Sequence, residues 1–465
     1  MAPAGLLFRS FTRPSTASAT AGLRTTSASF STTTALLANL PAAVAAARAG
    51  IRTKQKTNFK KKRIGDDKSS VKKPAPGERK AFRLRIQTSN NNAILVQGLD
   101  ELSKDSLADD ASAGRMFSIP DSVVDQLRLL RAFKTTQSWG MFRKPHVLVR
   151  STTVDLAKRM DAACQKGEKP LRCVITGPRW AGKSLLLMQA MMHALLRGWI
   201  VVHIPECMEL TNGNTDYSPI PGTKPLRFIQ PQYTLRLIEE ILNVNEPVLR
   251  RLSMQKDWPA LGPFDKDATL DHLFLNLRES EYAWPAFEAF WDELQQPGRP
   301  PILLFADGLT HFNVPSDYRD PTFKPVHAHQ LALPKVFIDA LAGRTEFLNG
   351  GAAIAAISTS KTTVNISQDL ALAQAEAAQN GTEIPLRNAW ERKYDELVFE
   401  ALKSVSIVRV PNVSKDEGRA LLEYWAASGL FKETVDARSV TEKWTLGGHG
   451  VLGEMEKVAL LSLRP

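Results

Sequence analysis

Three cysteines, Cys164, Cys173 and Cys207, are all that 465 residues hold. They are too few for a disulfide framework and their spacing fits no zinc-ligand pattern, so a reducing compartment is expected. Long apolar runs are missing as well. With no stretch of about 18 such residues to span a bilayer, no membrane insertion is expected. A third deficit is local: residues 1–65 contain 11 Lys/Arg and not one Asp or Glu. That segment carries almost the whole formal charge of +12, because the rest of the chain has 49 basic against 48 acidic residues. Basicity therefore belongs to the N-terminal arm, and the nearly neutral body argues against a broad basic cleft as the working surface. The remainder is ordinary. With 43% hydrophobic and 23% charged residues, the chain is globular, able to bury a sizeable core and long enough for more than one domain.

Residues 1–50 combine six Ser, eight Thr and four arginines (Arg9, Arg13, Arg24, Arg48). This is the composition of a mitochondrial transit peptide, with removal expected between Ser27 and Asn39; a low-complexity tail is the alternative. A transit segment over 1–38 would leave a basic and polar extension, 39–115. Its run IRTKQKTNFKKKR, residues 51–63, places seven cations in thirteen residues, with Phe59 the only aromatic. Such a run repels itself and buries almost nothing. It reads either as a solvated linker or as an arm that neutralises RNA phosphates.

The pattern of a folded body starts near residue 116. IPDSVVDQLRLLRAF (119–133) has helical spacing after Asp121, and STTVDLAKRMDAAC (151–164) predicts a second helix capped by Ser151 or Thr152. LRCVIT (171–176) is a short β-branched strand that breaks at Gly177. SLLLMQAMMHALLRG (184–198) resumes helical spacing, and WIVVHIP (199–205) is another buried strand. Strand, glycine loop, helix and strand make a βαβ unit, and hence an α/β domain with a mostly parallel sheet.

The loop between the first strand and the helix reads GPRWAGKS: Gly177, Pro178, Arg179, Trp180, Ala181, Gly182, Lys183 and Ser184. The spacing of Gly177, Gly182, Lys183 and Ser184 satisfies the phosphate-loop pattern. The glycines permit a tight turn whose amides can face phosphate oxygens at the positive end of a helix. Lys183 adds a point charge between the terminal phosphates, and the Ser184 hydroxyl is a ligand for Mg²⁺. A structural glycine turn without nucleotide is the alternative. A second anchor for the metal is expected as an acid at the end of a later strand, and PILLFADGL (301–309) supplies Asp307. The next residue is Gly308, where vigorous ATPases carry a glutamate that polarises water, so slow or absent hydrolysis is expected. Glu206 is the candidate substitute base.

GGAAIAAISTS (350–360) predicts a third strand, with Ser358 and Thr359 either sensing nucleotide or simply closing the strand. Ser406–Val410 predicts a last strand, followed by a helix with a Ser414/Glu417 capping box. Residues 206–230 read as a loop and ALAQAEAAQNG (371–381) as a flexible segment. His327 and His329 form an H-x-H without a third ligand.

Taken in order, the loop GPRWAGKS, the strand WIVVHIP, the segment FIQPQYTLRLIEEILNVN and the strand PILLFADGL resemble the mitochondrial ribosomal small-subunit GTP-binding family, whose animal member is called death-associated protein three. The resemblance covers roughly residues 116–465. It implies an AAA+-like P-loop domain over 116–410 and a small helical domain over 411–465. It also implies a place in the head of the mitochondrial small ribosomal subunit, contacting ribosomal RNA and neighbouring ribosomal proteins near the interface with the large subunit. Carried over by position, Gly177–Ser184 would hold the phosphates of GTP or GDP, and Ser184 with Asp307 would hold Mg²⁺. There is no N-K-x-D motif of the kind that reads guanine, so the preference over ATP rests on the resemblance alone. A matrix ATPase or nucleotide switch, and a small-molecule kinase, are the other classes open to a phosphate loop.

Overall fold

The computed structural model describes residues 88–460, apart from 166–167, 266, 276, 278 and 359–363. The transit segment, the basic run 51–63 and Thr359 lie outside the described residues.

Five strands, β1 (Leu171–Thr176), β2 (Ile200–Ile204), β3 (Ile302–Asp307), β4 (Gly351–Ala356) and β5 (Ser406–Arg409), form one sheet in the order β5-β1-β4-β3-β2. Every pairing in it is parallel. Strands covered on both faces read as continuous apolar runs, and alternate side chains serve opposite faces. Cys173, Ile175, Val201, Leu303, Phe305 and Ile354 enter one core, while Val174, Val202, Leu304, Ala353 and Ile407 enter the other. The first core is covered by helices α1 (Asp121–Leu129), α2 (Ser151–Ala162) and α3 (Lys183–Leu196). The second is covered chiefly by α4 (Pro231–Leu249), α5 (Ala283–Leu294) and α6 (Ala332–Ala342). The result is the expected α/β architecture, a parallel sheet flanked by helices. Strand β4 separates β1, which leads into the glycine loop, from β3, which ends at Asp307. All strands run the same way, so both features arrive at the carboxyl edge of the sheet.

Two further helices, α7 (Ile366–Asn380) and α8 (Glu396–Leu402), precede β5. Beyond it, α9 (Lys415–Ala427), α10 (Ala437–Leu446) and α11 (Leu452–Leu460) pack around Leu422, Trp425 and Met455, joined by Phe142 and Leu148 from the body. The Ser414 hydroxyl accepts from Glu417 N at 3.1 Å, and the Glu417 carboxylate accepts from Ser414 N at 2.9 Å, closing the capping box that starts α9. Arg150 ties this layer down. Its guanidinium donates to the Pro411 and Asn412 carbonyls at 3.0 Å each and pairs with Glu417 at 3.2 Å.

Four expectations need correction. The body is packed from residue 88 rather than 116, because Leu102 and Leu107 are buried and Ser118 N donates to Asp100 O; the polar surface of this stretch hid its few anchoring leucines. ALAQAEAAQNG is no flexible segment but most of α7, started by the Asn365 side chain accepting from Gln368 N. Alanine-rich sequence has high helix propensity and little apolar periodicity, so the helix leaves a weak pattern. Within 206–230, Ser218–Ile220 and Arg227–Ile229 pair as antiparallel strands. The N-cap of α2 is Arg150, one residue earlier than expected, with Thr153 in the reciprocal position.

Candidate functional site

The glycine loop takes the shape its composition permits. Gly177 has φ +139° and Gly182 φ +101°, values open mainly to glycine, and Trp180 sits between them at φ +63°. A Cβ at Gly177 would stand 2.8 Å from the Val410 carbonyl oxygen, so the loop hugs the strand edge. No side chain caps α3, so its first amides and its positive end face the concavity of the loop. Lys183 Nζ folds back to donate to the Gly177 and Pro178 carbonyls at 2.9 and 2.7 Å. Burial disfavours its charged form and lowers its pKa, opposed by the nearby Asp307 carboxylate.

Ser184 and Asp307, 123 residues apart, meet: Ser184 Oγ donates to Asp307 Oδ2 at 2.9 Å. An alcohol and a carboxylate sharing one hydrogen bond beside an uncapped helix terminus form a hard oxygen donor set of the kind Mg²⁺ takes in phosphate-loop proteins. Thr176 Oγ1, on the residue before the loop, is buried without a hydrogen-bond partner among the described residues. The residues present therefore fit a nucleotide with its metal.

Not every residue of the motif faces inward. Pro178, Arg179 and Trp180 are exposed. Arg179 stacks on the Trp180 ring at 4.6 Å, Lys457 of α11 covers that ring at 3.0 Å, and Gly453 N donates to the Trp180 carbonyl at 3.1 Å. The C-terminal helices thus hold the outer turn of the loop. Ala181 is buried and helps to line a cavity of about 140 Å³ beside Gly182. Trp139, Leu148, Leu421, Tyr424 and Trp425 supply much of its wall. The recess is mainly apolar, has aromatic sides and adjoins the glycine loop.

Past the end of β3, Gly308 has φ +91° and opens the turn Leu309–Asn313, so no side chain reaches out where an activating glutamate would stand. Glu206 is exposed and precedes the turn Cys207–Leu210. The buried His203 is pushed down to about 4, first by burial and then by the neighbouring Lys134 cation. Ser358 lies just past the end of β4. His327 and His329 serve a turn, with His329 N donating to His327 Nδ1 at 3.1 Å; burial pushes His329 down to about 3.

Sequence reasoning missed two parts of this site. Lys134 reaches it from the segment after α1, and the cavity wall gathers residues from Met116 to Glu456. Neither carries a local motif; only the fold brings them together.

A parallel sheet of this order, with a glycine loop leading into a helix and an aspartate on the strand beyond the intervening one, defines a P-loop NTPase fold. Residues 147–458 match the family described as mitochondrial ribosomal death-associated protein 3. The chain is 48% identical over 417 residues, 88% of both chains, to the small ribosomal subunit protein mS29 of Neurospora crassa. It is 26% identical over 333 residues, 70% of this chain and 67% of the other, to the protein of that name from Schizosaccharomyces pombe. The chain belongs to the mitochondrial ribosomal death-associated protein 3 family. The mitochondrial matrix is accordingly its compartment. Among solved structures, a Walker-type ATPase of Pyrococcus abyssi aligns over 71% of each chain at 12% identity with a TM-score of 0.34, too loose a likeness to add to the strand order.

Proposed function

We propose that this chain is a structural component of the mitochondrial small ribosomal subunit, in its head near the large-subunit interface, and that it holds GTP or GDP with Mg²⁺ as a fixed part of its fold. The observation that carries the nucleotide reading is the 2.9 Å hydrogen bond from Ser184 to Asp307 beneath the uncapped start of α3. When bound, the metal supplies charge neutralisation between the phosphates. The chain's own residues supply the cradle: loop amides for the phosphates, Lys183 as a point charge, and the cavity beside Gly182 for the base. Guanine rather than adenine comes from the family resemblance. Gly308 supports retention over turnover, since it offers no base to activate water.

Sedimentation of tagged protein with mitochondrial small subunits in Mg²⁺-containing buffer tests the ribosomal part. Comigration is expected. Recovery only at the top of the gradient with brisk ATP turnover would replace this reading with that of a matrix ATPase.

Two narrower outcomes are expected. Leu421→Phe, which fills part of the cavity, should cost at most about 1–3 kcal/mol of stability while weakening GDP binding roughly tenfold, the scale of losing one stacked base. Unchanged calorimetric affinity would put the base elsewhere. Deleting residues 51–63 should flatten the salt dependence of RNA binding, since each lost phosphate contact removes about 0.7–0.9 from the slope. An unchanged slope would make the run a linker.

A further inference from the structure

The element that borders the base cavity also delivers a second cation to the metal end of the site. After α1, Arg131 at φ +53° turns the chain, Phe133 is buried, and Lys134 is carried beneath the sheet edge. Its backbone is fastened there: Lys134 N donates to Gln137 Oε1 at 2.9 Å, and the same oxygen accepts from Trp139 Nε1 of the cavity wall at 2.5 Å. The Lys134 ammonium donates to the Pro205 carbonyl at 2.5 Å and lies 3.1 Å from Asp307 Oδ2, the oxygen that Ser184 also engages. The two side chains are only 19% and 11% exposed. A buried carboxylate without a partner is costly, and an ion pair in such surroundings is screened far less than one at the surface. In ordinary phosphate loops the metal and the loop lysine are the cations facing the phosphates. Here a third positive group is built in, on the same aspartate that would anchor the metal.

Resting on the nucleotide reading above, we propose that Lys134 is a resident cation of the site, a positioning residue that holds Asp307 against Ser184 and lets a nucleoside diphosphate stay bound when divalent metal is scarce. Two consequences have the same electrostatic origin. The ammonium attracts phosphate oxygens whether or not metal is present, and it repels Mg²⁺, so the metal adds less to nucleotide affinity than it would in its absence. Metal and nucleotide are linked equilibria. The coupling is the ratio of the Kd for GDP in excess EDTA to that in saturating Mg²⁺.

The test is titration calorimetry with GDP on the purified full chain, in EDTA and in Mg²⁺, for the natural protein, Lys134→Arg and Lys134→Met. A ratio near tenfold is expected for the natural protein and for Lys134→Arg, and one at least tenfold larger for Lys134→Met. The double variant Lys134→Met/Asp307→Asn, which removes the unpaired carboxylate, keeps the comparison open should Lys134→Met fold poorly: in EDTA it should bind GDP at least tenfold more weakly than Asp307→Asn alone, and equal binding by the two would overturn the role of Lys134. Equal ratios for the natural protein and Lys134→Met, with GDP bound by both, would overturn the role of Lys134 alone. No binding of GDP by the natural protein in Mg²⁺ would overturn the nucleotide reading and this assignment with it.

Discussion

Replacing Lys183 with alanine is expected to remove half or more of the thermal shift that GDP and Mg²⁺ give the natural protein. A hydrogen-bonded charge contributes about 1.5–3 kcal/mol, so its loss weakens nucleotide binding by roughly ten- to a hundredfold. A ligand at a hundredfold excess over its Kd stabilises the folded state by about 2.7 kcal/mol, and that increment falls to about 1.4 kcal/mol for a tenfold and about 0.4 kcal/mol for a hundredfold loss of affinity. For a body of this size the melting temperature should then differ by roughly 3–5 °C in the presence of nucleotide. Without nucleotide the difference is smaller, limited to the two bonds that Lys183 Nζ makes to the Gly177 and Pro178 carbonyls. Incorporation into the small subunit should fall along with the nucleotide-linked stability. Equal thermal shifts and equal incorporation would mean that the loop is a structural turn.

Gly177→Val should damage the fold itself. The position needs φ +139°, and a side chain there meets the Val410 carbonyl oxygen at 2.8 Å. Backbone strain of this kind costs about 1–3 kcal/mol before any clash is counted, and a β-branched residue is among the worst suited to it. A loss of about 3 kcal/mol or more in urea-induced unfolding is expected without nucleotide, and GDP should not restore it. Pro178→Ala, at an exposed neighbouring position, should be nearly silent. A loss below about 1 kcal/mol for Gly177→Val would show that the loop can relax away from β5. Together the two variants separate what the loop does for the fold from what it does for a ligand.

Those contrasts follow from parts of the molecule that are legible to different degrees in the amino-acid sequence. The sheet was readable because its strands are buried on both faces and so appear as unbroken apolar runs; LRCVIT coincides with β1 and Ile302–Asp307 with β3. The phosphate loop was readable because its chemistry is local: glycines for the turn, a lysine and a serine at the helix start. Asp307 was found by demanding an acid at a strand end, a requirement of metal chemistry rather than of spacing. What the sequence concealed depends on distant contacts. Lys134 has no motif, and its role appears only when the chain after α1 passes under Asp307. The cavity wall draws Trp139 from one segment and Tyr424 and Trp425 from a helix nearly 300 residues later. Helix α7 was concealed for another reason: alanine forms helices by low entropic cost rather than by amphipathic pattern.

On the function proposed above, a magnesium-bound guanine nucleotide resides in the loop as part of the folded protein. Acid extraction of small subunits purified with the tagged chain, followed by chromatography of the released nucleotides, tests it most directly. GTP or GDP in amounts equimolar with the chain is predicted, and none attributable to the chain in particles assembled with Lys183→Ala. Particles that contain the natural chain at full stoichiometry yet release no more nucleotide than those lacking it would contradict the account.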